Sequence, residues 1–241
     1  MIEVTNLSKQ FKEVKAVDNL NFTINDGEIV GLLGENGAGK TTTLRIISTM
    51  IKCTGGTVKV NGVDINKEPS KVRSQIGILF GGEVGLYDRL TARENIRYFA
   101  ELNGMTKDAA DESIKRLSEE LEMTEYMDRR IGKFSRGMKQ KVAIARSIVH
   151  EPSVILLDEP TAGLDVSSSR LIHDFIKNCK KQNKAIVFSS HSMDEVEKLC
   201  DRVIIIHKGK MVEQGTINEL RIKYNSDDME QIFMDLVGDK K

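Results

Sequence analysis

A glycine-rich segment that directly follows a short apolar run restricts the fold of this chain more than any other part of its sequence. Residues 34–41 match the pattern G-x-x-x-x-G-K-[ST], and the apolar residues 29–33 precede them. Glycines let such a loop curl, so that its backbone N–H groups and the N-terminus of the next helix point at phosphates. Lys40 would supply positive charge to the β- and γ-phosphates, and the Thr41 hydroxyl would join a Mg²⁺ shell. The segment predicts a nucleotide site, the alternative being a plain glycine-rich turn before a helix.

The predicted nucleotide-binding residues of this segment follow one another along the chain, and the last of them opens a helix expected over residues 42–50. They are Gly34, Glu35, Asn36, Gly37, Ala38, Gly39, Lys40, Thr41 and Thr42. Lys40 is also a candidate catalytic residue, because its charge would stabilise the phosphates during transfer.

A second apolar run ends in two carboxylates. Residues 154–157 are all apolar, and Asp158 and Glu159 follow them. Four apolar residues in a row indicate a strand buried on both faces, as central parallel strands are. The carboxyl ends of such strands are where α/β sheets bind ligands. We expect Asp158 to hold Mg²⁺, directly or through water, and Glu159 to orient and polarise the attacking water.

Short β-rich runs alternate with amphipathic helical stretches. Strands are predicted at residues 2–7, 16–24, 28–33, 57–60, 75–80, 154–158, 184–189, 203–207 and 210–213. No strand is visible between about residues 87 and 147, where helices are predicted at 92–103 and 107–123 and a further one at 141–150. The pattern indicates an α/β fold with a mainly parallel sheet, a small antiparallel layer within the first eighty residues, and an inserted all-helical region.

The whole chain, residues 1–241, is expected to form one domain. Its core would comprise about residues 1–86 and 148–222, the helical region about 87–147, and a terminal helix about 223–241. Capping boxes are predicted at three helix starts, formed by Thr91 with Glu94, Ser192 with Glu195, and Thr216 with Glu219.

Charge and hydropathy bear on the partners of the chain. Lys and Arg total 36, as do Asp and Glu, so the net charge is zero. Because nucleic-acid binders usually carry a basic excess, we expect no nucleic-acid partner. Apolar runs are far shorter than the roughly twenty residues of a membrane helix, and no charged-then-apolar leader opens the sequence. The 3 cysteines, Cys53, Cys179 and Cys200, are far apart and suit a reducing cytosol.

Further motifs occur in the order and spacing of one known family. They are Phe134-Ser135-Arg136-Gly137-Met138-Lys139-Gln140, Thr161-Ala162-Gly163-Leu164-Asp165 and Ser189-Ser190-His191. Together they resemble the LSGGQ signature segment, the D-loop and the switch histidine of ABC-type ATPases, and the resemblance runs from residue 2 to about 220. It implies a P-loop NTPase core of RecA-like fold that binds and hydrolyses ATP with Mg²⁺.

The resemblance assigns roles to residues outside the phosphate loop. Ser135, Gly137 and Met138 would complete the nucleotide site of a second subunit, so that two ATP molecules lie between two protomers. Asp165 would position the facing site across that dimer. His191 would be catalytic, contacting the γ-phosphate and orienting water.

The same resemblance places Phe11 where the family stacks an aromatic side chain on adenine. Without the resemblance, three of these residues could have purely structural roles. Ser135 is a good helix cap, a lone histidine such as His191 is usually structural, and Phe11 would fit in the core.

The resemblance also implies partners: a transmembrane permease subunit, and a second ABC ATPase subunit, with a homodimer on ATP binding favoured over pairing with a different ATPase. The chain would then be cytoplasmic, peripheral on the inner face of the cell membrane. Residues 81–98 and 134–141 are most similar to ATPase subunits of ABC-2-type bacterial exporters, and within these to the sodium-extruding group, so Na⁺ extrusion is favoured over export of drugs. Alternatives are a non-transport ABC ATPase acting on nucleic acid or ribosomes, a phosphotransferase or GTPase, and an inactive nucleotide-binding scaffold.

Two positions depart from the family pattern. Gly81 stands where the family has a glutamine that touches Mg²⁺ and couples the site to the membrane partner, and glycine has no side chain for either task. Water or Glu83 would have to substitute, so no metal ligand is assigned there. Arg136 replaces the first of the two signature glycines, a change we expect to be tolerated because Ser135 and Gly137 remain.

Overall fold

The computed structural model describes residues 1–81 and 85–238. Its strands are β1 (Ile2–Phe11), β2 (Val14–Ile24), β3 (Ile29–Leu33), β4 (Gly55–Val60), β5 (Val63–Asp64), β6 (Ile76–Leu79), β7 (Val154–Asp158), β8 (Ala185–Ser189), β9 (Arg202–His207) and β10 (Lys210–Thr216). Its helices are α1 (Lys40–Ile47), α2 (Pro69–Arg73), α3 (Ala92–Leu102), α4 (Lys107–Glu120), α5 (Arg136–Ile148), α6 (Val166–Lys181), α7 (Met193–Leu199), α8 (Ile217–Tyr224) and α9 (Met229–Val237). Within these described ranges, no helix combines the length and the apolar character that crossing a membrane requires.

A six-stranded sheet in the order β10-β9-β3-β8-β7-β6 crosses the molecule. Every neighbouring pair is parallel except β9 with β10. Successive residues of β7 enter different cores: Ile155 and Leu157 cluster with residues of α3, α4 and α5, whereas Val154 and Leu156 cluster with residues of β1 and β2. Because both faces are covered, the strand is apolar throughout. The predicted α/β fold with a mainly parallel sheet is confirmed.

A second, antiparallel sheet in the order β2-β1-β4-β5 comes from the first part of the chain, as predicted. Ile2, Leu20 and Ile24 of this sheet share one buried cluster with Leu44 and Ile47 of α1. The same cluster contains residues of the large sheet, so α1 is held by apolar contacts to both. The helix that starts at the phosphate loop is therefore fixed by the core.

The described residues between β6 and β7 form α3, α4, α5 and two short 3₁₀ turns, with one isolated β-bridge between Thr91 and Arg130. This agrees with the expected all-helical region, although its boundaries at about 87 and 147 stay predictions. The terminal helix is present as α9, and residues 239–241 of that prediction lie outside the described residues.

Two of the three predicted capping boxes are present, at Thr91 and at Thr216. The box predicted at Ser192 with Glu195 was wrong, because the Ser192 side chain makes no capping hydrogen bond. The Glu195 carboxylate instead contacts the side chains of Thr161, His173 and Ser190. Spacing along the chain could not reveal this competition.

Helix boundaries also differ from those expected. Helix α1 begins at Lys40 rather than at Thr42. Helix α5 begins at Arg136, five positions before the helical run predicted at 141–150, and Ser135 caps it. Helix α6 was not predicted, although Ile172, Phe175, Ile176 and Cys179 form a buried stripe at helical spacing.

Candidate active site

The phosphate loop connects the carboxyl end of β3 to the start of α1 and borders a cavity of about 330 Å³. The cavity is lined by Glu35, Asn36, Gly37, Gly39, Lys40, Thr41, Thr42, Gly81, Asp158 and Glu159. Gly34 and Ala38 are the two predicted loop residues that do not line it. At Gly39 a side chain is excluded, since φ is +111° and a Cβ atom would lie 2.5 Å from the Ala16 carbonyl oxygen.

Lys40 is buried at the base of this cavity, with 6% of its surface exposed. Its ammonium donates hydrogen bonds to the carbonyl oxygens of Gly34 (2.6 Å) and Glu35 (3.2 Å). Burial lowers the pKa of Lys40 below its usual value, and the negative charges of Glu159 and Asp158 offset part of that shift. The loop thus holds a desolvated cation beside two carboxylates.

Asp158 ends β7 opposite Ser189, the residue that ends β8. Its Oδ2 accepts a hydrogen bond from the Thr41 hydroxyl (2.8 Å), and its Oδ1 accepts one from the Ser189 hydroxyl (2.5 Å). Parallel pairing brings the two strand ends together, and the phosphate loop brings Thr41 to them. The result is a cluster of oxygen ligands of the type that Mg²⁺ prefers.

Glu159 lies next to this cluster in a rare backbone conformation, with φ of +49°. Its N–H donates to the Ser189 carbonyl oxygen (3.0 Å) and approaches the Ser189 hydroxyl (3.2 Å), which fixes the turn. His191 Nδ1 is 3.3 Å from Glu159 Oε1, while 70% of the His191 side chain is exposed. A carboxylate and an imidazole therefore face one another at the mouth of the site.

A second cavity, of about 380 Å³, adjoins the first and shares Glu35, Asn36 and Glu159 with it. His191 and Phe233 of α9 line this second cavity. The space beside the two candidate catalytic side chains is thus bordered by the C-terminal helix as well as by the loop.

Gly81, which stands where the family has a glutamine, lies on the wall of the first cavity. A Cβ atom there would lie 3.1 Å from the Asp158 carbonyl oxygen and 3.6 Å from Glu159 Cβ. Glu83, considered as a substitute for the missing side chain, lies outside the described residues.

The signature residues stand apart from both cavities. Ser135 caps α5 by accepting a hydrogen bond from the Met138 N–H (3.2 Å). Gly137 faces α6, where a Cβ atom would lie 2.9 Å from Ser168 Oγ. Among the described residues, the linings of the two cavities include none of Ser135, Gly137 and Met138.

Asp165 caps α6 and is exposed. Hydrogen bonds from the Ser167 hydroxyl and from the N–H and hydroxyl of Ser168 lower the pKa of Asp165 below its usual value. This local role was not foreseen. Arg136, in place of a signature glycine, reaches over to Gly163 in the segment before Asp165.

Phe11 ends β1 with 45% of its surface exposed, so the alternative that it fills the core was wrong. The Lys9 ammonium lies 4.7 Å from the centre of its ring. A flat aromatic face on the surface remains compatible with stacking on a base.

Sequence reasoning missed several supporting side chains. The Gln140 amide donates to the Pro160 carbonyl oxygen (2.5 Å), which ties α5 to the segment after Glu159. Ser189 had been noted only as part of a motif, yet it binds both Asp158 and Glu159. Glu195 had been assigned to a helix cap. Gln140 and Ser189 are members of the motifs, but the pattern gave no indication of these contacts.

Comparison with known proteins gives one consistent result. A family model described as ABC transporter matches residues 17–162. The ABC transporter ATP-binding protein NatA of Bacillus subtilis is 48% identical over 238 residues, which cover 97% of this chain and 97% of NatA. The bacitracin transport ATP-binding protein BcrA of Bacillus licheniformis is 40% identical over 227 residues, covering 92% of this chain and 71% of BcrA.

Solved structures resemble this one over nearly the whole chain. The ATP-binding subunit of an ABC transporter superposes with a TM-score of 0.90 at 27% identity, covering 98% of this chain and 99% of that one. A dimeric ATP-binding cassette in a post-hydrolysis state, bound to ADP and Pi, superposes with a TM-score of 0.82 at 27% identity, covering 90% and 98%.

Proposed function

This chain belongs to the ABC transporter family as an ATP-binding subunit, and we propose that two copies of it close around ATP to power a bacterial exporter. As a member of that family, the chain binds and hydrolyses ATP. The observation that carries the dimeric part of the proposal is the separation of the signature residues from the chain's own phosphate cavity.

Within one copy, the cavity residues would bind the triphosphate. The carbonyl oxygens of Gly34 and Glu35 hold the Lys40 ammonium in place, so it would meet the β- and γ-phosphates already stripped of most of its water. Thr41 and Asp158 would hold Mg²⁺ through their oxygens, and the bound ion would supply charge neutralisation on the phosphates. Phosphate oxygens and water would complete its shell.

Glu159 and His191 would act on the attacking water. The two hydrogen-bonding contacts of the Glu159 N–H with Ser189 fix the backbone from which its side chain projects. Glu159 would orient and polarise the water, and His191, 3.3 Å away, would contact the γ-phosphate. Since phosphoryl transfer depends mainly on positioning and charge stabilisation, a preformed arrangement of this kind suits it.

The second copy would supply what the first lacks. The N-terminus of α5 offers backbone N–H groups and the Ser135 hydroxyl, which is a favourable setting for an anion. The N-terminus of α5 in each copy would contact the γ-phosphate held by the other copy, because both copies use the same surface in an isologous dimer. Gly137 and Met138 would take part in this contact, and Asp165 would position the facing site. ATP would thereby favour the closed dimer, and hydrolysis would release it.

The cargo and location are proposed from relatives. We place the subunit on the cytoplasmic face of the membrane, bound to a separate transmembrane permease. Its 48% identity to NatA, together with the resemblance to sodium-extruding ATPases, favours Na⁺ as the cargo. BcrA bears the name of bacitracin transport and is 40% identical, so a drug is the competing cargo. Co-purification of the permease, followed by Na⁺ and bacitracin transport into sealed vesicles, would decide between them.

Glu159→Gln tests the catalytic proposal. The amide keeps the size of the side chain and removes its negative charge, so phosphate release should fall at least about 100-fold while ATP still binds. With saturating ATP and Mg²⁺, small-angle scattering should show a stable dimer. Glu197→Gln, a matched loss of a carboxylate that pairs with Arg221 at the surface, should behave as the parent does.

Rapid turnover by Glu159→Gln would remove Glu159 from its proposed role. Scattering from single molecules under all nucleotide and Mg²⁺ concentrations would contradict the dimeric mechanism.

A further inference from the structure

A partly buried carboxylate on α7 joins two loops beside the active site. Glu195 accepts a hydrogen bond from the Thr161 hydroxyl (2.6 Å) and another from the Ser190 hydroxyl (2.8 Å). Its Oε1 also lies 3.2 Å from Nε2 of His173 on α6. Only 19% of the Glu195 side chain and 15% of the His173 side chain are exposed. One carboxylate therefore contacts side chains from three separate segments.

The two hydroxyl groups adjoin the side chains proposed for hydrolysis. Thr161 follows Glu159 by two positions, and Ser190 directly precedes His191. These four residues and Glu195 all line one cavity of about 220 Å³. The carboxylate thus links the loop after Glu159 to the loop that carries His191.

Local capping does not account for this arrangement. Glu195 has the right spacing for a capping box with Ser192, yet the Ser192 side chain caps nothing. Burial alone would raise the pKa of Glu195, but the hydrogen bonds from His173, Thr161 and Ser190 outweigh burial and lower the pKa to about 2. The carboxylate is therefore ionised at neutral pH, and hydrogen bonds to an ionised group are roughly twice as strong as neutral ones.

We propose that Glu195 is a positioning residue for ATP hydrolysis, which holds the loops of Thr161 and Ser190 in one arrangement so that Glu159 and His191 meet the γ-phosphate together. This inference rests on the function proposed above for Glu159 and His191. Neither Thr161, Ser190 nor Glu195 lines the cavity that contains Lys40. Loss of the link therefore lowers kcat and leaves the KM for ATP unchanged.

A double-mutant cycle on the full chain tests the link. Thr161→Val removes one hydroxyl with little change of shape, and Ser190→Ala removes the other. Each should lower the steady-state kcat for ATP about tenfold, and the double variant should also be about tenfold slower, because breaking either contact breaks the same link. Effects that multiply to about 100-fold would overturn the proposal, as would a raised KM with unchanged kcat.

Three controls separate positioning from general stability. Thr161→Ser keeps the hydroxyl and should restore kcat to near the parent value. Asp194→Asn removes an exposed carboxylate next to Glu195 and should have no effect. If Thr161→Val lowers only the Tm and leaves kcat per folded molecule unchanged, the role is structural and the proposal fails.

The parent and Glu159→Gln are assayed in parallel. Equal turnover by these two would contradict the proposed function itself. Slow turnover by Glu159→Gln, combined with multiplying effects in the cycle, would overturn only the role of Glu195.

Discussion

The cavity around Lys40 and the N-terminus of α5 are both suited to bind anions, but their polar groups are bonded in different ways. In the cavity, Thr41 binds Asp158 across 117 positions of sequence, and Lys40 is buried. At α5, Ser135 is exposed and its hydroxyl accepts a hydrogen bond from the Met138 N–H, three positions away. The Thr41 hydroxyl in the cavity is held by a long-range contact within one chain, whereas the Ser135 hydroxyl at α5 is exposed and makes a local one.

This difference bears on the division of labour between two copies. A site held by contacts across the core keeps its geometry without ligand, so it can bind nucleotide in a single chain. An exposed helix N-terminus can bind an anion, and in the proposed dimer that anion belongs to the second copy. Three substitutions test whether the two regions separate in this way.

Lys40→Ala should have the largest effect, and it should appear in the single chain. Removing a buried cation that would bind the phosphates by charge-assisted hydrogen bonds should weaken ATP binding about 100-fold. Isothermal titration with ATP at low protein concentration measures the change. Lys115→Ala, which removes an exposed lysine on α4, should bind ATP as the parent does.

If Lys40→Ala binds ATP with unchanged affinity, the cavity around Lys40 is not the site of the triphosphate, and the proposed difference between the two regions is wrong.

Ser135→Asp should have the next largest effect, and only when two copies meet. Aspartate still caps α5 and suits the helix dipole, but its charge would repel a γ-phosphate brought by the partner copy. Turnover should fall about 30-fold relative to Ser135→Asn, a neutral cap of the same size, while ATP affinity of the single chain stays the same.

Equal turnover by Ser135→Asp and Ser135→Asn would mean that no phosphate approaches α5. A parallel loss of ATP affinity would instead indicate that Ser135 serves the chain's own site, which contradicts the proposed exchange between copies.

Local and long-range contacts also explain what could be read from the sequence. The phosphate loop and the apolar strand before Asp158 were predicted because each is a contiguous pattern with one physical reason. The pairing of Asp158 with Ser189 depends on which strands are neighbours in the sheet, and no local pattern contains that information. Ser192 and Glu195 show the opposite error, since a correct local rule predicted a capping box and contacts from other segments displaced it.

Exposure was equally difficult to predict. Phe11 ends a strand whose inward residues, such as Ile2 and Leu7, are fully buried, and its aromatic character favoured burial as well. Fold class and the chemistry of the loop thus follow from residue patterns, whereas the relations between loops follow only from the folded chain.

Phe11→Ala should have the smallest effect. Phe11 is exposed, as Ser135 is, yet it is assigned to the nucleotide of its own chain, so this variant tests whether exposure alone indicates a contact with the second copy. Loss of stacking on adenine should weaken ATP binding about fivefold in the single chain. Binding of inorganic tripolyphosphate, which has no base, should not change. Val14→Ala, which truncates the exposed residue paired with Phe11 across the hairpin, should leave both affinities unaltered. If Phe11→Ala weakens the binding of ATP and of tripolyphosphate equally, Phe11 acts through the phosphate loop and does not stack on adenine.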